Sequence, residues 1–157
     1  MDLHIRRGNL DDLAGLVASS AALFAEDAGT RDPTLNQDWP RREGPQAFRE
    51  LIDDPGRLCL VADDSGVVVG HLSGAMRPPV PIRPLAVAEL ISMYVRPAYR
   101  RLELGGQLVE VFFDWARKQG AARASVSGYA SNDGAIRFYQ RQGFEPRTVI
   151  LETDLSH

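Results

Sequence analysis

Residues 87 to 120, VAELISMYVRPAYRRLELGGQLVEVFFDWARKQG, restrict the folds open to this chain more than any other stretch. Val87 to Val95 is a short apolar run rich in β-branched residues. It ends at Arg96-Pro97, where proline cannot donate to a ladder, so it reads as a strand. From Leu104 onward, Leu108, Val111, Phe112 and Trp115 recur at helical spacing, and Gly120 follows the basic pair Arg117-Lys118 as a stop signal. Between the two lies a basic, glycine-bearing turn, Arg100 to Gly106. A helix starting there offers unpaired N–H groups and the positive end of its dipole, beside two arginines, and so suits a phosphate. The same features also suit ordinary α/β packing.

The remaining chain supplies the partners of that unit. His4 to Arg7 predicts a first strand, and Gly8-Asn9 caps a helix whose face carries Leu13, Leu16, Val17 and Phe24. Glu26 to Gly44 is rich in Gly, Pro, Asp, Asn and Arg and predicts a long loop, with Trp39 as its anchor or as a substrate contact. Pro45 starts a helix through Phe48, Leu51 and Ile52. Arg57 to Ala62 and Val67 to Met76 form a hairpin across Asp63-Asp64-Ser65-Gly66. Pro78, Pro79, Pro81 and Pro84 make the next connection stiff and extended. After the central helix, Ala122 to Tyr129 predicts a strand. Asn132 or Asp133 then caps a helix through Ala135, Ile136, Phe138 and Tyr139 to Gly143, and Thr148 to Leu155 is expected as a last strand. The result is an α/β chain with a mixed sheet, helices on both faces, and one parallel pair joined by a right-handed crossover through the central helix.

The 157 residues suit one domain, 1–157. A charged fraction of 25% and a net charge of −3 show no attraction to nucleic acid or membrane, so the basic turn matters locally. The single Cys59 lies in an apolar run, as an inert thiol would, and excludes an intrachain disulfide. His4, His71 and His157 have no metal-ligand spacing, so no metal site is expected. His71 is either a structural residue or a base facing a site. No leader or spanning segment is read at the start of the chain, and a cytoplasmic location is expected.

Two stretches together resemble the GNAT superfamily of acyl-CoA-dependent N-acyltransferases. Val95 to Gly105 is similar to the family's strand followed by an Arg/Gln-x-x-Gly-x-Gly/Ala pyrophosphate loop. Asn132-Asp133-Gly134-Ala135-Ile136-Arg137-Phe138-Tyr139, continuing to Gly143-Phe144, is similar to its Asn-x-x-Ala-x-x-aromatic-Tyr helix. The resemblance implies a mostly antiparallel central sheet with one parallel pair and acetyl-CoA as co-substrate. It implies pantetheine pairing near Met93, Tyr94 and Val95, and a pyrophosphate over Arg100, Arg101, Leu102, Glu103, Leu104, Gly105 and Gly106. Asn132 either caps its helix or bonds the cofactor arm. Glu103 departs from the pattern, standing where the family usually has glycine.

The implied activity is transfer of an acetyl or other short acyl group to a primary amine, by direct attack in a ternary complex. Tyr139 is the matched proton donor to the leaving thiolate. Glu89 is the candidate base, on a face shared by alternation with Ile91, Met93 and Val95, or else the partner of an arginine. The alternative is a catalytically weak acyl-CoA-binding or regulatory module of the same fold. The acceptor is a small-molecule or peptide amine that the sequence does not specify, and a homodimer through the last strand is compatible with it.

Overall fold

A computed structural model describes residues 1–156 and places the strands in the order β1-β2-β3-β4-β5. They are β1 (Leu3–Arg7), β2 (Arg57–Asp64), β3 (Val67–Arg77), β4 (Val87–Val95) and β5 (Arg123–Val126). The first four are antiparallel in sequence, whereas β4 and β5 run parallel. The crossover between them is α5 (Leu104–Lys118), the helix predicted from the central stretch. His157 lies outside the described residues.

Burial on both faces explains the near-continuous apolar run of β2. Leu58, Leu60 and Ala62 pack with Leu104, Leu108, Phe112 and Trp115 of α5. Cys59 and Val61 point the other way, against Leu16 of α1 (Leu13–Leu23) and against Phe48 and Leu51 of α4 (Gly44–Asp53). Phe112 is wholly buried, and the ring fits because Gly74 opposite has no Cβ; one built there would lie 2.9 Å from it. The hairpin turns through Ser65 and Gly66, both at positive φ, where glycine is at ease.

Four expectations are corrected. The segment from Glu26 to Gly44 is largely helical: a π-helical turn (Phe24–Ala28) prolongs α1, followed by α2 (Gly29–Arg31) and α3 (Trp39–Arg42). Trp39 stacks on Phe24, with ring centroids 6.0 Å apart, and this tertiary contact outweighs the loop-like composition. The strand expected from Ala122 to Tyr129 is confined to Arg123–Val126. Thr148 to Leu155 forms no strand, because its backbone meets no partner.

The fourth correction concerns the central strand. Ser73 pairs with Ser92 but Gly74 pairs with Leu90, leaving Ile91 as an extra residue. This bulge reverses the parity of β4. Ala88 and Leu90 therefore share the α5 face with Met93 and Val95. Glu89 points to the opposite face, and Ile91 is half exposed.

Candidate active site

The site forms where β4 and β5 part. Their pairing ends at Leu90↔Val126, whereas β4 continues to Val95 beside β3. The side of β4 turned to β5 thus carries unpaired N–H and C=O groups from Ile91 through Val95. Alternation along the strand turns the groups of Met93 and Val95 to that side, where Val95 O accepts from Arg100 Nε at 2.9 Å, whereas those of Tyr94 face His71 of β3, in step with Arg96 N–H donating to Val69 O.

The chain then turns through a 3₁₀ segment, Pro97–Leu102, into α5. Glu103 adopts φ 61 and ψ 19, the left-handed conformation, at the helix N-cap. No side chain caps this end, so the first-turn amides of Leu104, Gly105 and Gly106 face outward. Gly105 lets α6 (Asp133–Arg141) pack close: a Cβ there would lie 3.1 Å from the Phe138 ring, which would have to shift by a few tenths of an ångström. A groove of about 690 Å³ runs past Arg100, Glu103, Gly106 and Gln107. Arg101 and Leu102 are exposed beside it. Arg100 also donates to Glu26 at 2.6 Å and lies over the Tyr94 ring. Its guanidinium holds the Glu26 carboxyl below the usual range.

The α6 helix closes the opposite side. Asn132 Oδ1 accepts from Ala135 N at 3.1 Å, and its Nδ2 donates to Asp27 at 2.9 Å. Arg31 donates to the same Asp27 oxygen at 2.6 Å and to Ser131 Oγ at 2.9 Å. Composition gave no signal for Glu26, Asp27 and Arg31 as a unit; the π-helical turn sets Asp27 on the cavity wall and Glu26 against Arg100. Tyr139 is packed edge-on against Phe138 and Phe144, and burial pushes its hydroxyl up to about 12. It lines a cavity of about 2230 Å³ together with Phe24, Asp27, Trp39, Ser92 and Tyr129.

Glu89 lies inside the sheet, between Ala75 of β3 and Ser125 of β5, against Arg77, whose guanidinium touches Oε2 without hydrogen-bond alignment. Beneath the cavity lies a polar chain that the sequence did not suggest. His71, fully buried, meets Ser19 Oγ through Nδ1 at 2.6 Å and Ser92 Oγ through Nε2 at 3.1 Å. Ser92 in turn meets Ser73 at 2.6 Å. Burial lowers the His71 imidazole to about 4, so it is neutral at neutral pH. Cys59 is buried, and desolvation raises its thiol to about 12.

The site thus joins a sheet that splits beyond a bulge to an uncapped helix start. The model of the acetyltransferase (GNAT) family matches residues 25–144, and the chain belongs to that family. An uncharacterized N-acetyltransferase of Methanocaldococcus jannaschii is 34% identical over 64 residues, covering 41% of this chain and 28% of that protein. Among solved structures, a transcriptional regulator from Bacillus halodurans C-125 superposes with a TM-score of 0.79 at 22% identity, covering 98% of this chain and 100% of that one. An aminoglycoside N-acetyltransferase in complex with CoA gives 0.78 at 18% identity, covering 99% and 96%. These last two establish likeness of fold. No described helix is long and apolar enough to cross a membrane.

Proposed function

We propose that the chain transfers an acetyl, or another short acyl group, from acyl-CoA to a primary amine by direct attack in a ternary complex. One observation carries the reading: β4 runs on to Val95 after β5 has left it at Val126, exposing strand-edge amides beside the uncapped start of α5. An amide-bearing pantetheine arm suits the former and a diphosphate the latter. The backbone of Met93 and Val95 would hold the arm, and the amides of Leu104, Gly105 and Gly106 the diphosphate. Arg101 adds charge there, as does Arg100 once released from Glu26. When bound, acetyl-CoA supplies an activated acyl group.

The chain's own groups then divide the work. The backbone N–H of Met93, turned to the gap, is a preorganised donor for developing negative charge; that of Tyr94 faces β3. Tyr139 retains its proton throughout the physiological range and donates it to the departing thiolate. Glu89, whose carboxylate also lies against Arg77, takes a proton through water from the bound ammonium, and the neutral amine then attacks the thioester carbonyl, forming the C–N bond as the C–S bond breaks. The acceptor enters the cavity between Trp39, Tyr129 and Tyr139, where Asp27 offers an amine its Oδ2, Oδ1 being taken by Arg31 and Asn132. Aminoglycosides are a natural first panel, given the structural neighbour that acts on them.

The test is calorimetric titration with acetyl-CoA, followed by thiol release with a panel of aminoglycosides, polyamines, amino acids and peptides. Intersecting double-reciprocal lines are expected; parallel lines would refute direct transfer, and no binding at millimolar acetyl-CoA would remove the assignment. The Glu26–Arg100 pair and the left-handed Glu103 favour a second reading, a weakly catalytic acyl-CoA-binding module. Tight acetyl-CoA binding without thiol release to any amine would select it.

A further inference from the structure

The floor of the large cavity is the face of the sheet that also carries Cys59 and His71. Register brings arginines onto that face from three strands. Arg77 of β3 is level with Val87 of β4, and Val87 with Arg123 of β5, so two guanidinium arms rise from one row with only Val87 between them. Paired residues share a face, and two strand spacings set the Cα atoms of Arg77 and Arg123 about 10 Å apart. Arg57 of β2 is level with Ala75, one row further in, and stands on the same face. Arg83 reaches the same cavity from the proline-rich connection. Long arms at that spacing converge on one small anion, and the planar fork of arginine fits a carboxylate or a phosphate through paired N–H donors.

The charge of this arc is largely uncommitted. Arg77 lies against Glu89, but no ion pair forms to Arg57, Arg83 or Arg123 among the described residues. The other carboxylates on the cavity wall stand apart from the arc in the chain: Asp27 is bonded to Asn132 at the start of α6, and Glu145 and Glu152 follow α6. The chain as a whole carries a net charge of −3, so a cationic patch is not its average surface repeated. Like charges gathered in a concave wall repel one another and focus a positive potential, which an anion relieves.

The acylation chemistry belongs further along the same floor, beside Ser92, where β4 and β5 part. Val87 to Ser92 is roughly 15 Å of strand, of which the arginine arms span a part. Given the acyltransferase reading, we propose that the acceptor is an extended amine carrying a carboxylate or a phosphate, with that anion held by Arg57, Arg77 and Arg123 while the amine lies beside Ser92. Polycations then meet like charge at the arginine end and are poor acceptors.

Matched acceptors test this through thiol release from acetyl-CoA: ω-aminohexanoate against its neutral amide, ω-aminohexyl phosphate against ω-aminohexanol, and diaminohexane as the dication. The anionic member of each pair should have a kcat/KM about 10-fold or more above its neutral twin, the worth of one or two hydrogen bonds to a charged group. The larger of the two gains tells carboxylate from phosphate. Arg57→Gln and Arg123→Gln should each lower that ratio by about 10-fold, mainly through the KM of the acceptor. Arg117→Gln removes a positive charge from α5, on the other face of the sheet, and should leave the ratio unchanged. Far-UV melting serves as the folding control for all three.

Neutral twins or the dication used as well as the anions overturn the proposal. So does a preference that survives in both folded arginine variants, or one that Arg117→Gln abolishes equally. Acylation of amines without regard to an anion removes the arginine site and leaves the acyltransferase reading intact. If no amine is acylated, that reading fails instead, and calorimetric titration with ω-aminohexyl phosphate decides the arginine site. Binding weakened about 10-fold in Arg57→Gln and Arg123→Gln supports it, and binding that is absent or unweakened overturns it.

Discussion

Asn132 donates to Asp27 at 2.9 Å while accepting from Ala135 N at 3.1 Å, so one amide both caps α6 and ties it to the end of α1, 105 residues away. The substitutions Asn132→Ala and Asn132→Asp separate these two jobs. Alanine removes both, and a lost cap alone costs about 1 kcal/mol, roughly 2–4 °C in Tm for a chain of this size. Aspartate keeps an acceptor for the cap but faces Asp27 with like charge. Its Tm should therefore recover with added salt, whereas that of the alanine variant should not. Calorimetric melts at low and high salt check both.

Glu103 holds φ 61 at the start of α5, a conformation that costs a non-glycine residue about 1 kcal/mol. Glu103→Gly should relieve that cost, partly offset by the greater freedom of the unfolded chain, and raise Tm by up to about 3 °C. Glu103→Ala keeps the strain and should give no gain. Calorimetry with acetyl-CoA should show tighter binding to the glycine variant if the glutamate charge opposes the diphosphate; unchanged affinity would place the side chain outside the loop's function.

Tyr139→Phe keeps the ring that packs on Phe138 and Phe144 and deletes only the hydroxyl. Turnover should fall by about 100-fold with little change in acetyl-CoA affinity. Wild-type turnover would remove Tyr139 from the chemistry. The hydroxyl is pushed from 10.0 to about 12, so between these values the folded state retains a proton that the unfolded state has lost. Stability should therefore decline as pH rises through that window, and the decline should be shallower in the phenylalanine variant.

His71 gives the opposite slope. Burial lowers it from 6.5 to about 4, so in that interval the unfolded chain binds the extra proton. The contribution is intact above pH 6.5 and is lost as pH falls through about 4, on the order of 3 kcal/mol in all. Urea melts between pH 4 and 7 should show this loss. His71→Asn should flatten the dependence and lower stability at pH 7, because Ser19 and Ser92 lose their ring partners.

The central strand and helix were legible because their signals are local: an apolar run closed by Arg96-Pro97, then 3.6-residue spacing from Leu104. The boundaries of β4 read from the sequence coincide with the structure, Val87–Val95. The side of β4 on which Glu89 falls was not legible, because one extra residue at Ile91 reverses it. That bulge is visible only in the register of β4 against β3. The helical character of residues 24 to 42 was hidden likewise, since stacking of Phe24 on Trp39 and the reach of Asp27 to Asn132 depend on elements far apart in the chain.

By itself, the sequence determined the family, the order of elements from α4 to α6, the basic turn and the capped α6, since periodicity, capping and motif spacing act over a few residues. Only the tertiary structure decided the left-handed Glu103, the Glu26–Arg100 and Arg77–Glu89 pairs, the buried His71 chain and the unpaired fate of Thr148 to Leu155. Each of these depends on which groups meet across the fold. A side chain's charge, solvation and pairing are properties of its surroundings, and those surroundings exist only once the sheet has closed around them.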